Sequence, residues 1–212
     1  MNAFASRVIF PPSGVERSLR EQLRGHSERT SHLRTSRQVT VTMTSDKMTK
    51  HIESAQPLVG ILTGSPNDLP TVGKAREALE ELGVPCEVRV LSAHRTPDLT
   101  VEYVRTAEAA GVEVFIACAG LANHLAGTVA AHTLLPVIGV PLASGPLSGM
   151  DSLLSTVQMP PGVPVATVAV DGARNAGFLA ARILSIKYSE IGESLKESLA
   201  ASRRRYEEAQ LS

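Results

Sequence analysis

Between residues 57 and 187 the chain repeats one unit five times: a short apolar run, a turn of small or polar residues, then a longer stretch with apolar side chains at helical spacing. The first copy is the clearest. Leu58-Val59-Gly60-Ile61-Leu62 is wholly apolar and reads as a buried strand; residues 63–68 are turn chemistry; Leu69, Val72, Ala75, Leu79 and Leu82 mark one helical face, closed by Gly83. The same reading places strands at 84–91, 112–118, 136–140 and 163–170, and helices at 97–110, 121–132, 149–157 and 173–186. Strands that alternate with helices must run parallel, with right-handed crossovers and helices on both faces. The expected fold class is therefore α/β, a three-layer αβα sandwich. Composition agrees: aromatics are 3% of the chain and Trp is absent, so the core must be built from Val, Leu, Ile and Ala, as in sheets covered on both sides.

The flanks differ from this core. Residues 1–55 are rich in Arg, Ser and Thr without a sustained period, and are expected to be a disordered N-terminal extension. That composition also suits an organellar transit peptide, although Met43 and Met48 stand just before the repeats and fit a simple tail or over-long reading frame. The expected catalytic domain is 56–187. Residues 188–212 read as a polar C-terminal helix whose thin apolar stripe is Ile191, Leu195, Leu199 and Tyr206.

Charge excludes some partners. The chain is formally neutral, but residues 1–50 carry a net +5, so the globular part is acidic and offers no electrostatic case for nucleic acid. No apolar run approaches a membrane span. Cys86 and Cys118 each lie in an apolar segment without partners at metal-ligand spacing, and are expected to be reduced thiols of a cytoplasmic protein.

Chemistry is expected at the carboxyl edge of the sheet, where open α/β sheets place their ligands. Three loops arrive there. Gly64-Ser65-Pro66-Asn67-Asp68 offers a tight turn, a hydroxyl and a carboxylate; it can face an anion or ribose, or merely cap the next helix. Ser92-Ala93-His94-Arg95-Thr96-Pro97 pairs a side chain that titrates near neutrality with a guanidinium fork suited to phosphate. Ala119-Gly120-Leu121-Ala122-Asn123-His124 is small enough for a flat ligand to approach its backbone, and His124 either touches that ligand or caps a helix. A fourth stretch, 147–162, is unusually small and polar between two strands, as segments lining sites or subunit contacts often are. Neither Walker loop, GxGxxG fingerprint nor Gly-x-Ser-x-Gly elbow occurs. The residues thus point to an edge site without a metal, able to hold phosphate and move a proton with His94.

Five ordered motifs resemble the class I PurE family, the 5-(carboxyamino)imidazole ribonucleotide mutases of purine synthesis. They are Gly64-Ser65-x-x-Asp68-Leu69-Pro70, the hexapeptide from Ser92, Pro136-Val137-Ile138-Gly139-Val140-Pro141, the run from Asp151 to Pro160, and Gly162-x-Pro164-Val165-Ala166-Thr167-Val168. The resemblance implies a flavodoxin-like fold, a homo-octamer, and a carboxylate moved from an exocyclic nitrogen to the adjacent ring carbon without any cofactor. It implies His94 as general acid and base. Ser65, Asp68, Ser92 and Arg95 would hold ribose and phosphate, with Gly120, Asn123 and His124 lining the carbon dioxide pocket. Pro66-Asn67, Asn123 and Ala126 depart from the family pattern. A related class carboxylates aminoimidazole ribonucleotide directly and usually has Lys for Arg in the hexapeptide and no proline after Thr; Arg95 and Pro97 favour the mutase. A nucleotide-binding module that has lost the chemistry is the non-enzyme alternative.

Overall fold

The computed structural model describes residues 56–210, and the expectations for the N-terminal extension lie outside them. Five parallel strands form one sheet: β1 (Val59–Thr63), β2 (Cys86–Val90), β3 (Val114–Gly120), β4 (Val137–Leu142) and β5 (Ala166–Thr167), in the order β2-β1-β3-β4-β5. Between them run α1 (Leu69–Glu81), α2 (Pro97–Ala110), α3 (Leu125–Ala130), α4 (Met150–Val157) and α5 (Ala173–Leu184), followed by α6 (Ser189–Gln210). This is the doubly wound order of the flavodoxin-like fold, and its topological switch lies between β1 and β3, which pair from Val59↔Val114 to Thr63↔Cys118.

Strand period explains why these runs are apolar throughout. Val59, Ile61, Val114, Ile116 and Cys118 point to one face and pack with Val72, Ala75 and Leu79 of α1 and Ala176, Ala180 and Leu184 of α5. Their neighbours Leu62, Phe115 and Ala117 point to the other, against Val104 and Ala107 of α2 and Leu125 and Val129 of α3. The helices approach closely where side chains are small. A Cβ on Gly177 of α5 would stand 2.7 Å from the Ala75 carbonyl of α1, and one on Gly139 of β4 would collide with Thr156 of α4. The start of α6 closes the first layer through Ile191 and Leu195.

Two boundaries differ from the sequence reading. The fifth strand keeps only two of the expected residues: it sits at the sheet edge, and Pro164 has no N–H for a ladder. The third helix begins at Leu125 rather than at 121, because Leu121 takes a left-handed conformation (φ 55°) that no helix admits. No helix among the described residues is long and apolar enough to cross a membrane.

Candidate active site

The loops that leave β1 and β3 open away from each other at the switch point, and the loop from β2 folds toward them. The hexapeptide is a closed turn before it is anything else. Thr96 Oγ1 accepts from the Ser92 N–H (3.0 Å) and donates to the Ser92 carbonyl (3.1 Å), while the Thr96 N–H also donates to that carbonyl (2.8 Å). Pro97 then starts α2, where a missing N–H costs nothing. This turn fixes the two side chains between Ala93 and Thr96. Both His94 and Arg95 project into solvent.

Arg95 ties the β2 loop to the β1 loop. Its backbone N–H and Nε both face Ser92 Oγ (3.3 and 3.4 Å), and its Nη2 donates to the Gly64 carbonyl. Of the five guanidinium hydrogens, these contacts use two, which leaves an edge of the fork for an anion. In the first loop Ser65 caps the short 3₁₀ turn, its Oγ accepting from the Asn67 N–H (3.2 Å). Ser65 caps only this turn, and the expected capping of α1 by Asp68 is not seen: Asp68 stands at the N-cap position but makes no side-chain cap. Asp68 instead accepts from Thr63 Oγ1 (3.5 Å). Its carboxyl is held above the ordinary range because partial burial disfavours the charge; the Thr63 hydroxyl and the Arg95 guanidinium offset that in part.

His124 reaches the same place from β3. Its Nδ1 stands 2.8 Å from Nε2 of His94, with the ring planes at 78°. Gly120 lets the loops after β3 and β4 meet: a Cβ there would collide with the Ser144 side chain. Asn123 is different. Its side chain is fully buried and turned inward, donating through Nδ2 to Thr156 Oγ1 (2.8 Å), while its N–H donates to Ser155 Oγ (2.9 Å). Its Oδ1 has no donor. The structure thus brings Ser65, Asp68, Ser92, His94, Arg95, Gly120 and His124 to one edge, and places the Asn123 side chain behind the loop.

Three contributors were missed when the loops were read singly. Ser155 and Thr156 hold the β3 loop from behind; their signal was the small, polar character of 147–162. Asp171, in the turn after β5, accepts from the Ala143 N–H (3.0 Å) at a left-handed φ of 56°, and lies near enough to Asp68 to oppose its ionisation. The Asp-Gly pair that ends the fifth apolar run was its only sequence signal. Both thiols are held protonated by burial, that of Cys86 pushed up to about 12 and that of Cys118 higher, so neither is a nucleophile here.

Residues 58–205 match the family model described as AIR carboxylase. A protein of Pyrococcus horikoshii named N5-carboxyaminoimidazole ribonucleotide mutase is 55% identical over 157 residues, covering 74% of this chain and 89% of its own. Proteins of the same name from Thermotoga maritima and Bacillus subtilis are 58% and 56% identical, over 66% and 67% of this chain and 82% and 89% of theirs. Among solved structures, Treponema denticola PurE superposes with a TM-score of 0.67 at 33% identity, covering 72% of this chain and 95% of that one.

Proposed function

The chain belongs to the AIR carboxylase family, and we propose that its reaction is that named for its curated relatives, conversion of 5-(carboxyamino)imidazole ribonucleotide to 4-carboxy-5-aminoimidazole ribonucleotide. It is then an isomerase of purine biosynthesis that uses no cofactor. One observation carries the reading: the residues of three separate motifs converge at the β1/β3 switch point, with His94 and a partly unengaged Arg95 on the same closed turn.

In this reading Arg95, Ser65 and Ser92 take the phosphate, and Asp68 the ribose hydroxyls. His94 protonates the exocyclic nitrogen as the carboxylate departs and later accepts the proton of the ring carbon. A single imidazole can serve both steps because it can donate a proton in one and accept a proton in the other. Carbon dioxide held beside Gly120 and His124 stays at high effective concentration, where free solution would dilute it. Asn123 supports this pocket from behind.

The test is direct. Purified protein is given the carboxyamino substrate and, separately, aminoimidazole ribonucleotide with bicarbonate, and formation of the carboxylated product is followed. Efficient turnover of the first is expected. Product from the second alone would instead make the chain a direct carboxylase, and none from either with binding intact would leave a binding module.

Assembly as a homo-octamer belongs to the same reading. Leu147 in the turn before α4 and Met150, Leu154 and Val157 on α4 are exposed apolar side chains, and a groove between α5 and α6 exposes Leu199 and Tyr206. Such apolar surface on a small domain marks contact with another chain. The proposed catalytic unit is 56–187, with α6 extending from it into the assembly. Sedimentation of the purified chain should give a mass several times 22.5 kDa; a monomer at micromolar concentration would reject the assembly. The unpaired thiols suit a reducing cytoplasm.

A further inference from the structure

Ser144 stands in the loop after β4, at the same edge of the sheet, and the chemistry proposed above leaves its hydroxyl unused. The ladder between β3 and β4 ends with Gly120 opposite Leu142. There the chain turns back: the Ser144 N–H donates to the Leu142 carbonyl (3.0 Å), a three-residue turn that folds Ser144 over the end of β3. A Cβ on Gly120 would collide with Ser144 Oγ, so the serine side chain fills the space that the glycine leaves open. The next pair repeats the contact, since a Cβ on Gly145 would stand 2.7 Å from the Leu121 side chain. Ser144 is thereby set against a residue proposed to line the carbon dioxide pocket.

The loop is also clamped from its far side. Asp171, in the turn after β5, donates its N–H to the Pro141 carbonyl (2.9 Å) and accepts from the Ala143 N–H through Oδ1 (3.0 Å). It does so at φ 56°, a left-handed conformation that residues other than glycine disfavour and that these two bonds hold in place. Ala143 is thus fixed to the β5 turn and Ser144 to the end of β4. The Ser144 hydroxyl itself is engaged by no group among the described residues, and the side chain is only half-buried. A hydroxyl on a fixed backbone, with its hydrogen unspent and a floor of small residues beside it, suits an anionic group that arrives and leaves.

We propose that Ser144 is a further substrate-binding residue: its hydroxyl donates to the carboxylate of the carboxyamino substrate and then holds the released carbon dioxide over Gly120. Asp171 is the positioning residue for that hydroxyl. This rests on the mutase reading above. The N–C bond breaks with its electrons staying on nitrogen, which takes the proton from His94, and neutral carbon dioxide remains. Carbon dioxide then either accepts the ring-carbon electrons to form the C–C bond or escapes and leaves aminoimidazole ribonucleotide behind. The hydroxyl favours recapture. Its bond to a carboxylate oxygen is charge-assisted, and charge returns to that oxygen as the C–C bond forms.

The experiment follows two products of the purified full chain on the carboxyamino substrate. One is the carboxylated isomer; the other is aminoimidazole ribonucleotide, corrected for carbon dioxide lost without protein. Ser144→Ala should raise the ratio of the second to the first by about tenfold, and KM by about tenfold, as one hydrogen bond to a charged group is lost. Asp171→Ala should reproduce the raised ratio. Asp171→Asn keeps an acceptor for the Ala143 N–H and should stay within about twofold of the parent. An unchanged ratio in Ser144→Ala overturns the proposal even where KM rises, because a contact to ribose or phosphate would move KM alone. Equal ratios for the two Asp171 variants overturn the positioning role. If Asp171→Ala does not fold, Ser144→Ala, which removes a single oxygen, decides alone. Failure of the mutase reading looks different. It is an unmutated protein that forms no isomer from the carboxyamino substrate, whereas an active parent matched by Ser144→Ala removes only the present inference.

Discussion

His94→Asn lowers kcat on the carboxyamino substrate by about a thousandfold, within the range that general acid–base catalysis contributes, and leaves KM within a few-fold. The reason is positional. Asn at 94 can imitate Nδ1 but has no atom where Nε2 stands, and Nε2 is the nitrogen that meets His124. The departing nitrogen then has no proton donor, and the ring-carbon proton no acceptor. Binding is expected to survive, because the proposed phosphate contacts are those of Arg95 and the serines and the closed Ser92–Thr96 turn does not involve the His94 side chain. Stability changes by no more than about 0.5 kcal/mol, as expected for an exposed side chain with one exposed partner. Steady-state kinetics with a direct binding measurement checks both halves. A variant with near-parental kcat removes the role assigned to His94.

Arg95→Ala acts on the other constant. KM should rise by about a hundredfold, because hydrogen bonds from a charged donor contribute roughly 1.5–3 kcal/mol each and Arg95 can offer more than one to a phosphate. kcat should stay within a few-fold, since His94, the proposed acid and base, is untouched. The Arg95→Lys variant should fall between: it keeps the charge but not the planar fork that spans the Gly64 carbonyl, Ser92 Oγ and an anion at once. Raising salt should weaken substrate binding to the parent more than to Arg95→Ala. An unchanged KM in the alanine variant would remove Arg95 from the phosphate site.

The parallel sheet could be read from Leu58-Val59-Gly60-Ile61-Leu62 and its four successors because a strand buried on both faces has no polar position to spare. The hexapeptide was legible for a related reason. A His-Arg pair alone would pass for an ordinary polar loop; its place directly after a strand and before a proline, where such sheets bind ligands and two other polar loops arrive, singled it out.

Asn123 shows where this kind of reading stops. A polar side chain in a candidate site loop looks ligand-facing from its neighbours alone. Its actual direction depends on Ser155 and Thr156, more than thirty residues away on a helix whose packing the sequence does not encode locally. Leu121 is similar: its residue type favours a helix, and the chain there is left-handed because the β3 and β4 loops close on each other through Gly120 and Gly145.

Sequence alone determined the alternation of elements, the edge at which the loops gather and the residue types able to hold phosphate and carry a proton, since each follows from period, turn chemistry and side-chain inventory within a few residues. Tertiary structure alone decided the order β2-β1-β3-β4-β5, the hook of Arg95 onto Gly64 and the meeting of His94 with His124 across β1. Strand order is set by how helices pack on a finished sheet, and a contact between residues thirty positions apart exists only once that order brings their loops together.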